Sequence, residues 1–119
     1  MTENWPATTA ALSAQLRSLR GTATGTMKTF SQCAENALRA GALDTKTKEL
    51  MALAIGIAVR CDDCIAFHAK AAVQHGATRE EIQETLELAI YMGAGPSVMY
   101  ASHALRAFDE FAAQRQAAE

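Results

Sequence analysis

Residues 45–59 read TKTKELMALAIGIAV: a polar first turn, then ten uncharged residues from Leu50 to Val59. A short apolar run of this kind fits either a buried strand or a buried helix, and the fold class turns on which it is. Its alanines, its continuity with KELMAL and its length favour helix, with Asp44 placed to cap the N-terminus. Beyond the first turn the segment is apolar on every side, which predicts a central, buried helix.

The neighbouring segments read the same way. Upstream, a first helix is expected from near Pro6 to Arg20, with Leu12, Leu16 and Leu19 on one face and Gly21 ending it. A second is expected from about Thr26 to Ala40, through Phe30, Cys33, Ala34, Ala37 and Leu38, with Gly41 as a left-handed cap. Downstream, CDDCIAFHAKAAVQH (61–75) forms a helix closed by Gly76. Thr78 stands three before Glu81, a capping-box spacing, and opens a helix through Ile82, Leu86, Ala89 and Ile90 to about Met92. GAGP (93–96) then breaks the chain, and Pro96 starts a last helix with Val98, Ala101, Leu105, Phe108 and Phe111 facing inward, fraying at its end. The sum is an all-α chain of about six helices.

With 119 residues, half of them apolar, the chain suits one domain. Eleven basic and 13 acidic residues give a formal charge of −2 with no basic stripe, which excludes a nucleic-acid partner. The start, MTENWPATTAAL, carries Glu3 in place of a basic n-region and lacks a long apolar h-region, so a cytoplasmic location is expected. Ten uncharged residues are about half of the roughly 20 a membrane helix needs, so no membrane is expected. Three cysteines, two of them close together, suggest metal or redox chemistry and no disulfide framework.

Residues 60–68, RCDDCIAFH, carry that chemistry. On a helix Cys61 and Cys64 are i, i+3, and Cys64 and His68 are i, i+4, so the three side chains share one face. A helix N-terminus favours thiolate over thiol, and an imidazole one turn on accepts the proton. Asp62 and Asp63 oppose this if they point at the sulfurs; as first-turn residues they are expected to face solvent or cap free amides. Glu49 is the last charge before the uncharged run, so burial of that helix places a carboxylate at the core. Such a group needs a partner or a raised pKa, as a proton relay uses, whereas an exposed first-turn carboxylate would have no role. Glu49 reaches the cysteines only if the two helices fold back on each other.

Alternatives remain. A metal site lacks a fourth ligand, since His75 on the same straight helix closes a shell poorly. Haem attachment is excluded because Ile65 follows Cys64, and a thioredoxin-like site wants a strand and a βαβ context. No metal and no cofactor is called for. Cys33 reads as a buried inert thiol, His75 as a cation at a helix end, His103 as a hydrogen-bonded core or interface histidine, and Met92, Met99 and Tyr100 as core.

Glu49, eleven residues, then Cys61-x-x-Cys64-x-x-x-His68, followed by GATREEIQETLELAIYMGAGPSVMYASHAL (76–105), resembles the carboxymuconolactone decarboxylase superfamily, in particular its alkylhydroperoxidase D-like branch. The likeness spans residues 43–111, leaving 1–42 as N-terminal helices of a single domain, 1–119. It implies an all-α fold around a buried helical hairpin that brings the glutamate beside the CxxC, assembled as homotrimers or as hexamers of three dimers. It also implies that Cys64 attacks peroxide and passes through a sulfenic acid, that Cys61 resolves it as a disulfide, and that His68 and Glu49 relay protons through water. Cys61 would also protonate the leaving oxygen. The partners would be a hydroperoxide and a thiol or dithiol reductant. One departure is Asp63, where the alkylhydroperoxidase D proteins have a histidine; another is the absence of their duplicated N-terminal helical region. The rival functions are a carboxymuconolactone-type decarboxylase, whose proton transfers need no CxxC, and a non-catalytic, redox-switched interaction module.

Overall fold

A computed structural model describes residues 4–119, and among them the backbone is helical with no strand. The Glu3 reading lies outside the described residues. The elements are α1 (Trp5–Thr22), α2 (Thr24–Leu38), α3 (Thr45–Ala58), α4 (Asp62–Gln74) and α5 (Arg79–Ala118). The run that decides the fold class is therefore helix, and Asp44 caps it, its carboxylate accepting from the Thr47 amide at 2.8 Å.

α5 is two helical arms joined at a kink. Ala94 sits at φ 55, ψ −143, outside helical space, and Pro96 has no N–H to continue the ladder. Arg79 Nε lies 3.1 Å from Asp109 Oδ1, whereas thirty residues of straight helix would span about 45 Å. Residues 79–93 and 95–118 thus double back on each other, which gives the six helical segments expected. Gly93 permits the reversal: a Cβ there would stand 1.8 Å from Ser97 Oγ.

α3 and α4 form the central hairpin and pack against α5. Their approach is close at Gly56, where an added Cβ would meet Cys64 Cβ at 3.4 Å. Leu53, Ile57, Ile65, Ala69, Ile82 and Ala104 are wholly buried in this core. Burial of a Leu or Ile side chain contributes roughly 1.5–3 kcal/mol each, so the hairpin that carries the motif is firmly anchored in the core. Lys46 Nζ to Glu81 Oε2, at 2.8 Å, ties the start of α3 to the start of α5. α1 is pinned at its first residue: Trp5 is 1% exposed and its amide donates to Glu110 Oε1 at 2.7 Å.

Several sequence expectations need correction. α3 is buried on one side only, because Met51, Ile55 and Val59, one turn apart, are exposed. α2 buries no residue, Phe30 is 65% exposed, and Cys33 is exposed, so its thiol is not a core group. Leu19, Val98, Met92 and Met99 are likewise exposed. Apolar periodicity reports an apolar face but not whether the cover for that face lies in the same chain. Gly21 lies within α1, and α2 ends at Arg39 in extended backbone, with no left-handed Gly41.

Candidate active site

The α3–α4 turn is a Schellman closure. Arg60 takes the left-handed position at φ 59, its amide reaches Ile57 O at 3.2 Å, and the Cys61 amide reaches Gly56 O at 3.0 Å. Left-handed backbone at a residue with a Cβ is strained. The Arg60 side chain makes contacts that a glycine lacks: its guanidinium donates to the carbonyls of Ile57 and Ala58 and lies 5.9 Å from the Tyr100 ring centroid. Arg60 thereby joins the turn to α5.

Cys61 is the N-cap of α4, and its Sγ accepts from the Cys64 amide at 3.1 Å. Cys61 and Cys64 are joined in a disulfide, with their Cα atoms 5.2 Å apart. The pair therefore lies at the positive end of a thirteen-residue helix, where thiolates are favoured once the bond opens. Asp63 is exposed, and Asp62 is half-buried.

Glu49 is 4% exposed, and its Oε1 lies 2.6 Å from His68 Nδ1. A carboxylate acceptor requires the proton on Nδ1, which leaves Nε2 of the neutral ring as a base. His68 is half-buried, so the pair runs from the core toward solvent along the face that carries Cys64. The hairpin thus brings Glu49, Cys61, Cys64 and His68 together from residues up to 19 apart. A disulfide accepts two electrons and two protons on opening; a carboxylate-oriented imidazole beside it moves protons.

The other residues singled out from sequence lie elsewhere. His75 is exposed at the end of α4, its amide closing the helix on Ala71 O at 2.9 Å. Cys33 is a free thiol exposed on α2. Among the described residues no group of three His, Cys, Asp or Glu converges as metal ligands would. His103 is mostly buried and hydrogen-bonded, as a core histidine was expected to be, but its partner was not foreseen. Its Nδ1 lies 2.9 Å from Asp62 Oδ1, 41 residues away in the chain, a pairing that local spacing cannot signal. The one hint was a polar residue on the face of a helix otherwise lined by Ala101, Ala104 and Leu105.

Comparison with known proteins gives a consistent picture. The model of the carboxymuconolactone decarboxylase family matches residues 24–107. An uncharacterised protein of Cupriavidus necator is 45% identical over 83 residues, 70% of this chain and 74% of its own. The crystal structure of an apo carboxymuconolactone decarboxylase family protein from Legionella pneumophila superposes with a TM-score of 0.88 at 47% identity, covering 91% of this chain and 96% of that one. A Thermotoga maritima protein of the same family, suggested to take part in an antioxidative response, superposes with a TM-score of 0.84 at 32% identity, covering 94% and 96%.

Proposed function

The chain belongs to the carboxymuconolactone decarboxylase family, and from that premise we propose that it is a thiol-dependent hydroperoxidase of the alkylhydroperoxidase D-like kind. The observation that carries the reading is the Glu49–His68 hydrogen bond, 2.6 Å long, one turn from a CxxC disulfide on the same helix. The likeness to a protein suggested to act in an antioxidative response supports it.

In the proposed cycle His68 Nε2 takes the Cys64 thiol proton and the thiolate attacks the hydroperoxide; an S–O bond forms, the O–O bond breaks, and the alkoxide leaves with the thiol proton of Cys61. Cys61, now thiolate, attacks the Cys64 sulfenic acid, releasing hydroxide, which the His68 proton converts to water, and leaving the disulfide. A thiol or dithiol reductant returns two electrons and two protons by exchange. Glu49 orients His68 and balances its charge when protonated. The cycle asks for no metal and no cofactor. A cytoplasmic site of action suits it, because cellular thiols there reopen the bond. Among the described residues no helix is long and apolar enough to cross a membrane. A decarboxylase reading leaves the disulfide unused.

The exposed Met51, Ile55, Val59, Leu88, Tyr91 and Met92 support a homotrimer or a hexamer of three dimers, in which other copies cover these side chains. Light scattering at micromolar concentration is expected to give three or six chains per particle; one chain refutes the assembly. Purified protein with a dithiol reductant is expected to consume an alkyl hydroperoxide, with Cys64→Ser eliminating the rate. Glu49→Gln is expected to lower it about a hundredfold. Absence of turnover with any hydroperoxide refutes the function.

A further inference from the structure

The two sulfurs of the disulfide have different neighbours. At about 100° per residue, Cys64 and His68 lie to one side of Cys61 around the α4 axis, and Asp62 lies to the other. On that second side the Asp62 carboxylate meets His103, Oδ1 to Nδ1 at 2.9 Å, with His103 the more buried partner at 18% exposure. The imidazole is held by Tyr100 on its own helix, ring centroids 5.0 Å apart, and by Trp5 of α1 at 6.3 Å. Arg60 stacks over the same Tyr100, so the residues flanking Cys61 on both sides are clasped to α5. The charged groups around this corner are Arg60 on the turn, Asp62 and Asp63 on α4, and, further along α5, the Arg106–Glu110 pair whose carboxylate also takes the Trp5 amide.

A second histidine–carboxylate pair thus flanks the disulfide, and no step of the peroxide cycle uses it. A carboxylate on the residue next to Cys61 disfavours a thiolate there; an imidazole N–H donated to that carboxylate delocalises part of its charge and keeps it oriented toward α5. We propose that His103 is a positioning residue for Cys61, holding the Asp62 carboxylate toward α5 and weakening its effect on the sulfur, so that Cys61 departs readily as thiolate when a reductant opens the disulfide. The reductant thiolate attacks Cys64 Sγ, the S–S bond breaks, and Cys61 takes the electron pair. A second thiolate of the dithiol then attacks the reductant's sulfur in the mixed disulfide and releases Cys64. The inference rests on the redox reading only in requiring that this disulfide exchanges.

The test is the pH midpoint of the Cys61 thiolate, followed by ultraviolet absorbance in Cys33→Ser/Cys64→Ser protein, together with the rate at which a small dithiol opens the intact disulfide. His103→Gln is expected to raise the midpoint by about one pH unit and to slow opening several-fold. Asp62→Asn is expected to lower the midpoint, and the double variant to follow Asp62→Asn. A purely structural clip would move both single variants in one direction; that result, or no movement in either, overturns the proposal. Asp62 is 40% exposed on its side chain, so Asp62→Asn keeps the test alive if His103→Gln unfolds. Neither readout involves peroxide, so a missing peroxidase activity and a failed pairing give separable results.

Discussion

The α3–α4 and α4–α5 turns are built alike and furnished differently. Both close a helix with a Schellman pattern: Cys61 N to Gly56 O at 3.0 Å in one, Ala77 N to Ala72 O at 2.9 Å in the other. In the second turn every position carries the residue that stability prefers. Gly76 takes the left-handed site at φ 83, Thr78 caps α5, and Glu81 completes the capping box. In the first turn the corresponding positions hold Arg60, Cys61 and Cys64, and a disulfide spans cap and third helical residue where the capping box stands in the other. The difference separates what the fold asks for from what the site asks for: one turn obeys the local rules, and the other departs from them where the chemistry lies.

Four perturbations would break or sharpen this contrast. Cys61→Thr gives the first turn the cap residue of the second. Helix content by circular dichroism is expected to be kept, while disulfide formation disappears and multiple-turnover peroxide consumption falls by roughly two orders of magnitude. Retained turnover would mean that the cysteine is only a cap. Gly76→Ala forces a Cβ into the left-handed site of the plain turn and is expected to cost about 1–2 kcal/mol in urea unfolding, with the initial peroxidase rate unchanged. Arg60→Gly does the reverse. Relief of about 1 kcal/mol of left-handed strain is offset by lost Tyr100 stacking and added chain entropy, leaving stability within about 0.5 kcal/mol, while the peroxidase rate drops several-fold. A gain in stability with no change in rate would show the arginine to be incidental.

The smallest effect is acid-dependent and belongs to the plain turn and to the cap of α3. The Lys46 ammonium bound to Glu81, and then the Thr78 amide, hold the Glu81 carboxyl below its ordinary value; the Thr47 side chain and then its amide do the same for Asp44. A lowered folded-state value means that the unfolded chain binds more protons, so the contribution is complete above the ordinary carboxylate range and is lost as pH falls through the lowered values. The urea midpoint is expected to decline from about pH 5 toward pH 2, and Glu81→Gln to flatten part of that decline. An unaltered slope would mean that the Lys46–Glu81 link across α3 and α5 contributes nothing.

Sequence reading succeeded where the determinants are local. The Asp44 cap, the Thr78–Glu81 box, the helix closure at Gly76 and the 93–96 break each depend on a few consecutive residues. Glu49 and His68 were legible as candidates, yet their 2.6 Å contact depends on the hairpin closing, which no spacing dictates. The failures are non-local. Phe30 and Cys33 sit on an apolar helical face that this chain leaves open, and Ile55 is 60% exposed on a helix whose composition suggests burial all round. The contacts of Arg60 with Tyr100 and of His103 with Asp62 were invisible because each joins the start of α4 or its turn to α5 across about 40 residues.

The bond from the Cys64 amide to Cys61 Sγ has a practical consequence. That one N–H, in the first turn of α4, is hydrogen-bonded to an atom that itself gains electrons when the bridge opens, from disulfide sulfur to thiolate. Its nuclear resonance and its exchange with deuterium should therefore follow the oxidation state directly. A single backbone proton then serves as an internal gauge of how much of the protein is reduced, readable in a mixture without trapping reagents.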